Sequence, residues 1–235
     1  MVGAVLRDAW RQYRRRPLAA PLALAVGGLP VFLPAGGNPL LIGPVALALL
    51  VVGLLADLFL VAWMAAALDG QPSRPAEAVR AMRRSAWPGI RAGLLRGLYL
   101  LAAWMVGRLL FGDAGTAQLS HTQQAKLSVG LWPLFAFALA LLAVIDQRIV
   151  LDGERLARRA AVVSYRVAVA HFPLCLAIGL VQALGLVVTG LPVRFAVVAA
   201  AALLLSLADP FLTGMGNALY LRAGRLQPLR PGERA

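Results

Sequence analysis

Three ionisable residues stand where an apolar surrounding makes charge expensive. Asp57 lies in the string LLADLFL and Asp209 in SLADPFL, both inside long apolar runs, and Arg96 sits one to two turns into another. An ionised side chain near the centre of a membrane helix costs about 2.5–3.5 kcal/mol on insertion scales, so such residues face a protein interior and find partners there. Asp146, near the end of a fourth run, and Asn217, in Gly214-Met215-Gly216-Asn217, complete the intramembrane polar candidates. Two kinds of chemistry are open to them. Asp57, Arg96 and Asp209 can line a polar cavity that handles an ion, a proton or a charged substrate. Alternatively they form a structural ion pair that sets helix register, with Asp57–Arg96 as the depth-matched pair and Asp146 left to Arg148, Arg166 or water. Pro210 frees a carbonyl about four residues upstream, near Ser206. The segment 206–217 is therefore the nearest approach to the broken helices that mark transport sites.

No catalytic constellation accompanies these residues. Asp113, Ser120 and His121 share one polar connection but lack the spacing of a nucleophile elbow. His171 reads as an interface residue. The single cysteine, Cys175, lies in an apolar run, so no intramolecular disulfide or cysteine-based metal site is expected. Two isolated histidines give no transition-metal spacing. No metal site and no cofactor are expected, and the chain reads as a non-enzyme.

The elements that must position Asp57, Arg96, Asp146 and Asp209 are membrane helices. A hydrocarbon core of about 30 Å needs roughly 20 helical residues, and six runs meet that need, at about 17–34, 40–67, 88–111, 128–150, 167–189 and 193–218. Arginine is distributed unevenly between them. Arg7, Arg11, Arg14, Arg15 and Arg16 precede the first run. Arg74, Arg80, Arg83, Arg84 and Arg91 separate the second from the third, and Arg148, Arg155, Arg158, Arg159 and Arg166 the fourth from the fifth. Arg222, Arg225, Arg230 and Arg234 form the tail. The alternate connections hold only Arg108, Lys126 and Arg194. By the positive-inside rule this is a multi-pass protein of the cell (cytoplasmic) membrane, of bacterial inner-membrane type, with both termini cytoplasmic. With 60% hydrophobic and 14% charged residues, the chain has too little polar surface for a water-soluble domain. Its net charge of +13 sits beside membrane runs, so anionic lipid headgroups rather than nucleic acid are the expected counter-charge.

A pattern recurs three times: a basic amphipathic segment leads through a proline into a pair of apolar runs. Asp8–Arg16 leads to Pro17, Ala76–Trp87 to Pro88, and Glu154–His171 to Phe172-Pro173. In the second copy Ala76, Val79, Met82 and Ala86 share one helical face, with Arg80, Arg83 and Arg84 on the other, as an interfacial helix requires. The expected fold is all-α: a polytopic membrane bundle of six helices in three hairpins, one integral membrane domain over 1–235. Leu68-Asp69-Gly70 and Leu151-Asp152-Gly153 close two of the runs with a glycine suited to a left-handed helix end. Gly93 and Gly97 form a G-x-x-x-G expected to pack closely within the bundle. Trp10, Tyr13, Trp63, Trp87, Tyr165 and Tyr220 map near the cytoplasmic interface as an aromatic belt.

The segments GQPSRPAEAVRAMRRSAWPGIRAGLL (70–95) and IVLDGERLARRAAVVSYRVAVAHFPLCLAIG (149–179) resemble bacterial six-span proteins of the glycerophosphodiester phosphodiesterase membrane-domain type. The later segment departs from that pattern, carrying Arg158-Arg159-Ala160 and a displaced Ser164. The resemblance implies a membrane bundle and its location, and it transfers no activity and no catalytic residue. Three functions remain open. The leading one is an accessory or scaffold component of a membrane complex, using Arg80, Arg83, Arg84, Arg155, Arg158 and Arg159 as a cytoplasmic basic face toward a membrane-protein partner. The second is a small transporter or permease-like subunit using Asp57 and Asp209. The third is an interfacial lipid-handling enzyme.

Overall fold

The computed structural model describes residues 1–28, 39–68, 74–111, 121–189 and 195–224, and these are all helix or short connection. The helices are α1 (Val2–Arg15), α2 (Ala19–Gly28), α3 (Pro39–Ala65), α4 (Pro75–Phe111), α5 (His121–Leu141), α6 (Ile145–Leu151), α7 (Ala157–Ala170), α8 (Phe172–Thr189) and α9 (Phe195–Leu219), followed by a π-helical turn at Tyr220–Gly224. Among the described residues three stretches are long and apolar enough to cross a membrane: Leu47–Ala65, Pro75–Leu110 and Val129–Leu151. A fourth is added if α7 and α8, bent by 112° at His171, count as one. Several long apolar helices point to a multi-pass membrane protein.

An exposed apolar stripe on α4 supports that solvent assignment. Leu94, Leu98, Leu101, Met105 and Leu109 recur at helical spacing and are all exposed, Leu109 by 83%. In water each would cost roughly 25 cal/mol per Å² of apolar surface; in lipid the same face is at home.

Four expected boundaries move. The third run does not start at Pro88: α4 is continuous through it from Pro75, 37 residues in all. At 1.5 Å per residue it is about 55 Å long, so its basic first turns project beyond a ~30 Å core. The fourth run starts earlier, since α5 begins at His121, and it is broken at Leu142–Val144 before α6. The fifth starts later, because Val167–Ala170 belong to α7, whose buried face is Ala160, Val163, Ser164, Val167 and Ala168. Pro210, the sequence's nearest approach to a broken helix, lies inside a continuous α9. Residues 29–34 of the first run, with Pro30 and Pro34, and the closing Gly70 lie outside the described residues. Gly153 does take the left-handed conformation, with φ 68°.

Close approach between helices relies on small residues. A Cβ on Gly179 of α8 would lie 2.3 Å from the Ala136 carbonyl oxygen and 2.9 Å from the Ala140 nitrogen. Cys175, Gly179 and Ala183 form a stripe every fourth residue against α5, where packing rather than a hydrophobic drive holds helices together. Between α3 and α4, Leu58 fills the space over Gly89 and Leu54 that over Gly93. Gly97, the other half of the expected motif, faces open space. Two aromatics of the expected interfacial belt are internal instead. Trp63 is buried with the Arg16 guanidinium 5.6 Å from its ring centroid, and Tyr220 is wholly buried, whereas Trp10, Trp87 and Tyr165 are exposed.

Gly179→Ala should weaken the α5–α8 crossing, since backbone lies on the far side and overpacking costs about 1–3 kcal/mol. Gly97→Ala should be neutral or gain up to about 1 kcal/mol from helix propensity. Thermal unfolding of the two variants in mild detergent checks the contrast.

Candidate functional site

Four helices bring the ionisable candidates together. Arg96 on α4 makes an ion pair with Asp146 on α6, Nη2 to Oδ2 at 2.6 Å, with both side chains largely buried. The same Nη2 donates a long hydrogen bond to the Leu142 carbonyl at 3.5 Å. Asp57 on α3 lies in the field of Asp209, Asp146 and Arg96, and Asp209 on α9 in that of Arg96 and Asp146. Both are half-buried. The ion pair thus forms with Asp146, where depth matching along the sequence pointed to Asp57. Depth is a one-dimensional quantity and does not say which helices touch; α6 packs against α4 and carries Asp146 to Arg96.

Between α5 and α6 the α-helical pattern is interrupted at Leu142–Val144. Where α5 stops, the freed Val144 N–H donates to Ser164 Oγ of α7 at 3.2 Å, and Arg96 reaches the Leu142 carbonyl. Side chains of neighbouring helices thereby replace the interrupted ladder, as an apolar surrounding demands.

A second polar layer lies two helical turns along α9. Asn217 Nδ2 donates to the Val61 carbonyl and to Gln12 Oε1, each at 3.1 Å. Gln12 Nε2 donates to the Gly214 carbonyl at 3.0 Å, and both residues are fully buried. Asn217, read from the sequence as able to bond across helices, does so. Its partner Gln12 belongs to the basic leader, and its signal was the Val5–Ala9–Gln12 spacing, one face of α1 at i, i+4 and i+7. Glycines make the layer fit. A Cβ at Gly214 would meet the Ala9 backbone at 3.2 Å, and one at Gly216 would meet Gln147 Nε2 at 2.6 Å. So α1, through its buried face, is docked on the end of α9 rather than lying free at an interface.

A third layer closes that end. Arg148 pairs with Asp152, and its Nη1 donates to the Tyr220 hydroxyl at 3.0 Å; Tyr220 in turn donates a short hydrogen bond to Asp152. Arg222 grips Asp8 of α1 through two nitrogens, at 2.6 and 2.9 Å. Arg148–Asp152 is a local i, i+4 pair, whereas Arg148–Tyr220 and Arg222–Asp8 join residues 72 and 214 apart, which no local pattern shows. Of the expected basic face, Arg80, Arg83, Arg84, Arg155 and Arg158 are exposed and Arg159 is half-buried.

Among the described residues no three His, Cys, Asp or Glu side chains converge closely enough to hold a metal ion. No known protein family, curated protein or solved structure matches the chain. The chemistry of the site therefore rests on its geometry.

Removing Arg96 leaves Asp146, Asp57 and Asp209 without the cation whose field they share, while removing Asp146 leaves Arg96 with Asp57 and Asp209 as alternatives. Arg96→Ala should therefore destabilise by the 3–5 kcal/mol order of a broken buried pair, and Asp146→Ala by clearly less. Unfolding of both variants in mixed micelles reads the asymmetry; equal losses would mean that Asp57 and Asp209 play no part.

Burial, aided by the bond to Asp152 and opposed by Arg148, pushes the Tyr220 phenol up to about 12, from an ordinary value near 10. A value raised on folding means the protonated form is favoured in the folded state. Its contribution is therefore complete below pH about 10 and is lost as pH rises through about 12. Alkaline unfolding of Tyr220→Phe should show a flatter dependence in that window than the unsubstituted protein.

Proposed function

We propose that the chain is a small permease-like membrane subunit in which Asp57 and Asp209 take up and release a proton. The observation that carries this reading is the ratio at the centre of the bundle: three carboxyl groups, on α3, α6 and α9, share the field of Arg96. A guanidinium balances one carboxylate. In an apolar surrounding the others need a proton or a bound cation, since an uncompensated charge is costly there. The broken stretch at Leu142–Val144, directly beside Arg96, adds the feature that accompanies midplane binding sites in transporters.

In this reading six spans cross the cell membrane, α2, α3, α4, α5–α6, α8 and α9, with both termini cytoplasmic. The arginine bias supports that orientation, and the sharp bend at His171 suits an α7 lying along the interface and an α8 crossing the bilayer. The likeness of 70–95 and 149–179 to six-span membrane-domain proteins agrees with this architecture and adds no activity. One observation favours a second reading, an accessory component of a membrane complex. The projecting start of α4 presents Arg80, Arg83 and Arg84 to solvent, where they can meet an acidic partner.

The purified protein in proteoliposomes carrying an internal pH indicator should conduct protons under an imposed gradient, and Asp57→Asn and Asp209→Asn should each reduce the flux at least tenfold. A hydrophobic carbodiimide, which reacts with protonated carboxyl groups in apolar surroundings, should label Asp57 or Asp209. Absence of both flux and labelling would overturn the proton reading. Co-purification of a stoichiometric partner that is lost in Arg80→Gln/Arg83→Gln/Arg84→Gln would then favour the accessory one.

A further inference from the structure

On the flank of the bundle, α4, the end of α5 and α7 enclose an open groove of about 720 Å³. Its composition is graded. Along α4 the lining residues Arg91, Leu94, Leu95, Leu98 and Tyr99 fall at i, i+3, i+4, i+7 and i+8, so one helix face passes from a cation to leucines within about 10 Å. Across from it α7 contributes Arg158 and Arg166, with Ala161 and Val162 between them, and Leu141 and Leu142 supply an apolar floor. Three guanidinium groups therefore rim a groove whose interior is aliphatic.

From this we infer that the groove holds one anionic phospholipid, its phosphate at the Arg91–Arg158–Arg166 rim and an acyl chain along Leu94, Leu98 and Leu142. Charge and shape select that occupant together. Arginine forks match phosphate oxygens in bidentate geometry, and the leucine floor offers nothing to a free anion but suits a hydrocarbon chain. The level is right as well. The Arg91 guanidinium lies 5.0 Å from the ring centroid of Trp87, which is 61% exposed, and exposed indoles favour the headgroup region. Trp87 and Tyr165, the latter lining the groove, place its mouth at the interface. The site stands on its own residues and does not depend on the proton reading.

The test uses the full chain in nanodiscs of phosphatidylcholine with 10 mol% phosphatidylglycerol, released for native mass spectrometry. One phosphatidylglycerol per chain should be retained, at least tenfold enriched over the bulk ratio. Arg91→Gln/Arg158→Gln/Arg166→Gln should abolish the enrichment, and Arg158→Gln alone should reduce it several-fold if the triple variant folds poorly. Leu98→Trp, which fills the groove without touching its charge, should also abolish it. Arg7→Gln/Arg11→Gln/Arg14→Gln, equal in charge removed and exposed on α1, should leave it intact. Equal loss in that control would reduce the effect to diffuse electrostatics and overturn the site. Displacement by millimolar inorganic phosphate with no effect of Leu98→Trp would assign the rim to a free anion and overturn the lipid.

Discussion

The structure depends on one guanidinium in an apolar interior. Arg96 cannot be left unpaired there, and the helices are arranged around its needs. Asp146 meets it on α6, the Leu142 carbonyl is turned toward it by the break before α6, and Asp57 and Asp209 close in from α3 and α9. In water such a cation would be solvated and would specify nothing. Where no water competes, its partners must be brought to it, and a fold that fails to do so loses several kcal/mol. A single residue in α4 thus constrains three other helices.

The same rule organises the layers beyond it. Asn217 bridges α9 to α3 and α1, Gln12 returns the bond to α9, and Arg148, Asp152 and Tyr220 tie the α6 end to the π-helical turn. The layer around Asn217 demands close approach, and Gly214 and Gly216, just before it in α9, leave room for Ala9 and Gln147. Small residues and polar bonds are here two sides of one device. The first brings helices near, and the second makes their relative position unique.

Parts of this were legible along the chain. The exposure of Arg80, Arg83 and Arg84, the buried stripe of α1, the bend before Phe172-Pro173 and the cross-helix bond of Asn217 all follow from local periodicity or local chemistry. Other parts were not. Pro88 and Pro210 leave their helices continuous, while the interruption at Leu142–Val144 contains no proline or glycine. A proline removes one hydrogen bond, and surrounding helices can make that good. At Leu142–Val144 the Val144 N–H donates to Ser164 and the Leu142 carbonyl accepts from Arg96, partners that are remote in sequence. Trp63 and Tyr220 were read as interfacial for a related reason: depth along the membrane is written in the chain, but the direction a side chain faces around its helix is set by its neighbours.

The sequence alone determined the solvent, the length of the apolar runs and the charge bias at their ends, because each is a property of a segment and its surroundings. Tertiary structure alone decided who pairs with whom. Arg96 could have met any of three carboxylates, and Asp146 is the one that the packing of α6 against α4 supplies. Pairing in an apolar interior is a matter of ångströms, and distances between helices are not encoded within any one of them.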